Sequence, residues 1–382
     1  MDHKFRIAII GCGVVAHKHI KAVWHNRDRM ELVALADINS DAASSLLSGS
    51  KFSRKYKESV RLFDDHISLL KQIKPDITII TTPGGTHFRI CMDALTHGSN
   101  VLLEKPMTLV ADEAEMLNNE AASRNLRIAL GHIYRYFPLV EILARDLRHG
   151  VFGRPLYGEV RVYWGHDQKY YDSSAWRGTW KQDGGAIMNQ TIHALDLMSL
   201  FLGGKPVRIC SMIARQTHAM EAEDIGMAVI KRDNGTYCTV TGTTSSNPHS
   251  KEASFDIICT AGRIKAGISS GRPYFDITAP SGNGRSYKKQ NFFYIRRFVS
   301  ETIRRYGLIW LFYSGNPHSL ILRDLYDSIL SEKSPRADGF TGEESVKTVV
   351  ALYNAAKEGR TLELPLSPEQ SSSVFTMEFD RS

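Results

Sequence analysis

Over the first third of the chain, apolar residues fall in short unbroken runs separated by stretches with helical spacing. The runs are Arg6–Ile10 (RIAII), Leu32–Ala36 (LVALA), Asp76–Thr82 (DITIITT), Val101–Leu103 (VLL) and Arg127–Leu130 (RIAL). A short run without polar alternation suits a strand buried on both faces of a helix-covered parallel sheet. Between the runs the spacing predicts helices to about Trp24, from His87 to His97 with a Gly98 stop, and from about Val110 to Arg124. Strand and helix alternating through short links is the doubly wound α/β pattern of a Rossmann domain.

Beyond Gly131 the period changes. Pro138–Arg148 is spaced as an amphipathic helix, and Leu156–Trp164 alternates as a strand. Further strands are expected at Val207–Gln216, Gly226–Lys231, Thr236–Thr243, Ser254–Thr260 and Arg263–Ile268, with a hairpin signal at Asn234-Gly235. This predicts an α+β domain on one large, mainly antiparallel sheet. One face should carry helices. The other is a candidate interface of a homodimer or homotetramer, because a large half-apolar face seldom stays in water. Helices are expected at Pro317–Ser331 and Gly342–Gly359, and residues 366–382 read as a polar, loosely ordered tail. The expected division is 1–131, 132–365 and the tail, which suits 382 residues.

Composition narrows the partners. A net charge of +7 and a pI near 9.0 favour acidic small molecules. The charge is spread out and no groove-reading motif occurs, so no nucleic-acid partner is expected. Five cysteines without a C-x-x-C pair argue for a reducing compartment and against a structural metal. The N-terminus lacks a signal-peptide pattern, and no apolar run approaches the roughly 18 residues of a membrane span. A cytoplasmic location is the expectation.

The first run leads straight into Gly11-Cys12-Gly13-Val14-Val15-Ala16 and a helix. This is G-x-G-x-x-A in the strand–turn–helix setting of a dinucleotide fingerprint. Gly11 allows the tight turn, Gly13 lets the backbone approach a pyrophosphate, and Ala16 keeps helix and strand close. Asp37 ends the second run where an acid binds a ribose 2′-hydroxyl, favouring NAD over NADP; a plain turn aspartate is the alternative. Two more loops follow strand ends: Thr82-Pro83-Gly84-Gly85-Thr86-His87 and Glu104-Lys105-Pro106, whose proline can take a cis bond. Later come Tyr170-Tyr171-Asp172, Trp176-Arg177-Gly178-Thr179-Trp180 and Asp183-Gly184-Gly185, then a predicted helix Ala186–Leu202. Its Asn189, His193 and Asp196 share one face at i, i+4 and i+7. Aromatic faces with an interleaved arginine suit sugar rings and anionic groups. Ser286–Tyr313 is basic and aromatic; it reads as a surface helix with a solvated basic face, or as a phosphate-binding lid, a subunit contact or a membrane-surface segment.

These motifs together resemble the Gfo/Idh/MocA oxidoreductases over residues 5 to 365. The resemblance rests on Gly11-Cys12-Gly13, Thr82-Pro83 through His87, Glu104-Lys105-Pro106, Arg135-Tyr136-Phe137-Pro138, and Gly184-Gly185 through His193 and Asp196. The aromatic insert and Met188-Asn189-Gln190 are similar to the branch that oxidises the 3-hydroxyl of sugars, including UDP-N-acetylglucosaminuronate 3-dehydrogenases. The resemblance implies NAD(P)-dependent hydride transfer at a sugar or cyclitol secondary alcohol, with Lys105 and His193 as catalytic residues. It implies cofactor contacts from Gly11, Gly13, Val14, Val15, Asp37, Thr82, Pro83, His87, Glu104 and Lys105, and substrate contacts from Tyr134, Trp176, Arg177, Asp183 and Asn189. Asn189 departs from the aspartate common in the family, which leaves the division of labour between Lys105 and His193 open. An NAD-dependent glycosidase or lyase, a ketoreductase and a non-catalytic sensor are the rival readings.

Overall fold

All five apolar runs form strands, and a sixth joins them at one edge. The computed structural model describes residues 4–280, 287–308 and 316–379. In chain order the first sheet is built from β1 (Phe5–Ile10), α1 (Ala16–His25), β2 (Met30–Ala36), α2 (Ser40–Ser48), α3 (Arg54–Lys57), β3 (Arg61–Phe63), α4 (His66–Ile73), β4 (Ile77–Ile80), α5 (His87–Thr96), β5 (Asn100–Leu103), α6 (Ala111–Ser123) and β6 (Ile128–Leu130). The strand order is β3-β2-β1-β4-β5-β6, all parallel. Every residue of β4, β5 and β6 is buried. The order reverses between β1 and β4, so loops leaving their carboxyl ends part and open a crevice there. The extra strand, β3, has two exposed residues and pairs along one edge only, so it carries no apolar pattern.

The chain continues with α7 (Pro138–Arg148), β7 (Pro155–Tyr163), α8 (Gln168–Asp172), a π-helical turn (Ile187–Thr191), α9 (Ile192–Leu202), β8 (Pro206–Ala214), β9 (Ile225–Arg232), β10 (Tyr237–Thr243), β11 (Glu252–Cys259), β12 (Gly262–Ser269), β13 (Arg272–Pro280), β14 (Tyr287–Lys289), α10 (Asn291–Tyr306), α11 (Pro317–Leu330), α12 (Gly339–Glu358), β15 (Leu362–Glu363) and α13 (Pro368–Ser371). The strands form a nine-stranded sheet, antiparallel except for the pair β7–β10. β13 and β14 extend it beyond the expected strands. One face carries α9, whose Met198 and Leu202 lie over Gly158 of β7. The other face exposes Cys210, Met212, Met227, Val229, Tyr237 and Ile258, with Met212 opposite Met227 and Cys210 opposite Val229. Of the basic segment, β14 and α10 are described; Ser286 and residues 309–313, with Trp310 and Phe312, lie outside the described residues.

Two compact units result, and their boundary differs from the expected one. α11 and the stretch through Glu343 group with the first sheet. Tyr326 of α11 packs on Phe5 with ring centroids 4.7 Å apart, Asn26 donates to the Ser319 carbonyl at 3.1 Å, and Leu130 N–H donates to the Ala337 carbonyl at 2.8 Å. Local sequence holds no sign of a helix returning over so long a separation. The tail is also corrected. α13 closes with a capping box between Ser367 and Gln370. Phe375 is buried against Trp180 and Tyr353, with centroids 5.1 and 4.9 Å away, and Trp180 Nε1 donates to the Met377 carbonyl at 3.2 Å. One aromatic in a polar stretch is enough to dock it when an aromatic slot awaits. Among the described residues no helix is long and apolar enough to cross a membrane.

Phe375→Ala should cost about 3 kcal/mol of stability, the usual scale for emptying a buried phenylalanine site. Urea unfolding reads this directly, and an unchanged midpoint would show that the tail is undocked in solution.

Candidate active site

In the first unit, four parallel strands deliver their loops to one sheet end. Gly11 has φ +89°, and a Cβ there would stand 2.8 Å from the backbone of Thr81 and Thr82, so no other residue fits the turn. A Cβ on Gly13 would meet no atom within 4 Å, so its backbone faces open space, as a pyrophosphate cradle requires. Val14 is exposed beside it. Val15 caps α1 without a side-chain bond, and the first turn holds no acid. That helix end suits an anion. The Asp37 carboxylate accepts the Cys12 N–H at 2.6 Å and the Asn39 N–H at 2.8 Å, which holds it beside the glycine loop. Burial, then the Asp37 charge, pushes the Cys12 thiol up to about 12, so it stays protonated. These residues fit a dinucleotide.

Thr82 and Pro83 lie half-buried at the end of β4. His87 is buried, with Nδ1 2.7 Å from the Pro106 carbonyl and Nε2 2.9 Å from the Thr82 carbonyl. Burial pushes its ring toward the neutral form, which can donate to one of the two carbonyls at a time. Its visible work is tying the Thr82 loop to the Lys105–Pro106 loop. The Lys105–Pro106 bond is cis and Lys105 is half-buried. Tyr134 follows β6, also half-buried, and burial raises its hydroxyl pKa.

Glu104 is buried at the end of β5. Its Oε1 lies 2.7 Å from His19 Nε2 and 3.5 Å from His318 Nε2, and its Oε2 accepts the Lys105 N–H at 3.3 Å. The neighbouring strand makes room: a Cβ on Gly131 would stand 2.7 Å from Oε2. Burial alone would raise this carboxyl, but the His19 and His318 contacts outweigh it and hold it well below the usual range. The three groups have metal-ligand chemistry and lie within 4.8 Å of one another. The His19–Glu104 separation is that of a hydrogen bond, and we read the set as a lock on the strand end.

In the second unit the aromatic insert and the polar turn form one cluster. The Arg177 guanidinium lies 4.2 Å from the Tyr170 ring centroid and 4.6 Å from that of Trp176. Tyr170 stacks on His166 at 3.7 Å. Gln190 Nε2 is 3.5 Å from His166 and donates to Asn189 Oδ1 at 3.1 Å; Asn189 Nδ2 donates to Asp183. Asp183 also accepts the Gly178 N–H at 2.9 Å. Burial, then the charges of Lys251 and Arg177, pushes His166 down to about 4, so the ring is neutral near pH 7. Asn189 and His193 are half-buried, whereas Asp196 is fully buried. The expected single α-helix from Ala186 opens instead as the π turn, a feature common at functional sites.

Sequence reasoning missed His19, His318, His166 and Glu223. His19 lies on the buried side of α1 and carried a faint signal; His318 carried none. Glu223 is buried beneath the π turn, its Oε1 accepting the Ile187 N–H at 2.8 Å and the Tyr353 hydroxyl at 2.9 Å. Burial raises its carboxyl to about 8.

The first unit is thus a parallel sheet with an open glycine cradle that suits a dinucleotide, and the second a large mixed sheet that carries a polar cluster. The family profile described as "Oxidoreductase family, NAD-binding Rossmann fold" matches residues 5–132, and that of the "GFO/IDH/MocA C-terminal domain" matches residues 142–265. The chain belongs to the Gfo/Idh/MocA oxidoreductase family, and its first domain is an NAD-binding Rossmann fold. It is similar to the D-apiose dehydrogenase of Paraburkholderia graminis, 24% identical over 61% of this chain and 58% of that one. The UDP-N-acetylglucosamine 3-dehydrogenase of Acidithiobacillus ferrooxidans is 28% identical over 60% of this chain and 64% of its own. The chain thus spans about three fifths of these relatives. Among solved structures, the WlbA dehydrogenase of Bordetella pertussis in complex with NADH and UDP-GlcNAcA is 25% identical, with TM-score 0.82, covering 96% of this chain and 99% of that one.

Glu223 supplies a pH signature. With its pKa raised from 4.5 to about 8 in the folded state, the native protein binds one more proton than the unfolded chain between those values. The stability linked to that proton is complete below 4.5 and lost as pH rises toward 8. Glu223→Gln should remove this part of the decline, so its thermal midpoint should fall less than the wild type's between pH 5 and 8. Parallel curves would show that Glu223 is ionised throughout.

Proposed function

We propose that the protein is an NAD-dependent dehydrogenase of a secondary alcohol on an acidic sugar, a uronate or a nucleotide sugar. The observation that carries this is the Arg177–Tyr170–Trp176 stack coupled through His166 and Gln190 to Asn189 and Asp183. Aromatic faces bind the apolar faces of sugar rings. The Lys251 and Arg177 charges, which add to burial in keeping a proton off His166, also attract an anion. Relatives named as 3-dehydrogenases support the 3-hydroxyl as the reacting position. Asp37, already an acceptor of two backbone N–H groups, would repel a 2′-phosphate, which supports NAD over NADP.

Bound NAD supplies the hydride acceptor, held by the Gly11–Gly13 loop, the α1 N-terminus and Asp37. In our reading His193 takes the hydroxyl proton, since a ring nitrogen of imidazole can serve as a general base. Lys105 donates a hydrogen bond to the oxygen that becomes the carbonyl. Glu104 and His87 position Lys105 through the backbone. Asn189 and Asp183 orient the sugar hydroxyls, with Trp176, Arg177 and Tyr134 as further substrate contacts. The exposed Met212, Met227 and Val229 on the second sheet support assembly into a homo-oligomer through that face. The five free cysteines support a reducing, cytoplasmic setting.

The test is NAD reduction across free sugars, inositols, uronates and UDP-sugars. Acidic members should give the highest kcat/KM; no reduction by any, with cofactor retained through gel filtration, would favour the transient-oxidation glycosidase reading. Lys105→Ala and His193→Ala should each lower kcat by roughly a hundredfold or more on the true substrate. Near-normal turnover in either would remove that residue's role. A Met212→Glu, Val229→Glu double variant should shift the mass in solution toward monomer, and an unchanged mass would place the interface elsewhere.

A further inference from the structure

α10 has two faces with different fates. Its inner face is fixed on α7. Arg297 pairs with the buried Asp146, Tyr294 donates to the same carboxylate at 2.8 Å, and Arg145 donates to Glu301 at 2.6 Å. Glu301 is the single acid of the helix, so this docking consumes its negative charge. The outer face carries the exposed Phe292 and Ile295, and the half-buried Val299 and Ile303 continue their line at spacings of three, four and four residues, one stripe along the helix. Phe292 is 73% exposed and Ile295 45% exposed, while Phe293 stands 50% exposed to one side. Arg296 is exposed beside the stripe, Arg304 is exposed on the flank of the last turn, and Lys288 is exposed on β14 just before the helix. Apolar side chains in a stripe flanked by cations, with no acid left over, form the pattern of a helix lying in the plane of a bilayer surface.

We propose that this outer face of α10 binds the surface of an anionic lipid bilayer, with Phe292 and Ile295 entering the headgroup boundary and Arg296, Arg304 and Lys288 against lipid phosphates. Charge selects this occupant. A second copy of a chain with net charge +7 brings like charge to these cations, whereas an anionic leaflet brings the opposite sign. Arginines suit the position because their stems lie along apolar surface while their heads reach phosphate. The inner ion pairs keep the helix formed in water, so binding needs no folding step.

The experiment is co-sedimentation of the full chain with vesicles of phosphatidylcholine alone and of phosphatidylcholine mixed with phosphatidylglycerol. Binding is expected to the mixed vesicles and to weaken by about tenfold or more in Arg296→Glu, Arg304→Glu. Phe292→Ser, Ile295→Ser should lose it as well, because two apolar anchors leave the boundary. Rising salt should release the wild type as screening shortens the reach of the charges. All four substituted side chains are exposed, and an unchanged circular-dichroism melt verifies that each variant is folded. Absence of binding to the mixed vesicles would overturn the proposal. Equal binding to both compositions, or binding untouched by both double variants, would do the same. A drop in the variants' mass in solution without any vesicle binding in the wild type would assign the face to a second copy.

Discussion

A carboxylate taken out of water is costly unless hydrogen bonds and opposite charge replace the solvent. Glu104 is such a group, and the first unit is arranged around meeting its needs. One histidine comes from α1, the helix that follows the glycine loop. Another comes from α11, far later in the chain, and a third donor is the N–H of the next residue, Lys105. The rings of His19 and His318 meet edge to face at 4.7 Å. Burial drives His19 toward the neutral form, which limits repulsion between two imidazoles sharing one acceptor. The carboxylate thereby ties the dinucleotide loop's helix, the end of β5 and the returning α11 into one body. This is also why α11 groups with the first sheet rather than with its sequence neighbours.

The second unit solves the reverse problem. Its buried acid under the π turn, Glu223, is paired with no cation among the described residues, and burial holds it toward the neutral form instead. A protonated carboxyl can stay under a wide turn without a counter-charge, and its Oε1 accepts from Ile187 and Tyr353 to hold the turn open. One unit thus keeps a charge at a strand end, where an adjoining lysine must be placed. The other keeps a neutral acid under a turn that presents amide side chains.

Legibility in the sequence followed the range of the interactions involved. β1, β2, β4, β5 and β6 were readable because burial on both faces leaves an apolar run, and the glycine loop because turn and helix start are local. β3 was not, since an exposed edge strand needs no apolar residues. His318, the docking of Phe375 and the position of α11 were not, since each depends on a contact between distant stretches. Asn189, His193 and Asp196 read as one polar face of an α-helix, but Asn189 sits in a π turn that depends on Glu223, supplied from just before β9.

Asn189 shows how a local departure can be compensated nearby. Read alone, asparagine for aspartate removes a negative charge from the second unit. Its amide instead donates to Asp183, which also accepts the Gly178 N–H. An aspartate at 189 would set two carboxylates at hydrogen-bond distance, and one of them would have to hold a proton. Asparagine avoids that conflict: its amide nitrogen donates to Asp183 and its oxygen accepts from Gln190. A carboxyl group still stands one hydrogen bond away, at Asp183. What changes is that residue 189 cannot exchange a proton, so its contribution to the cluster is confined to hydrogen bonding through the amide.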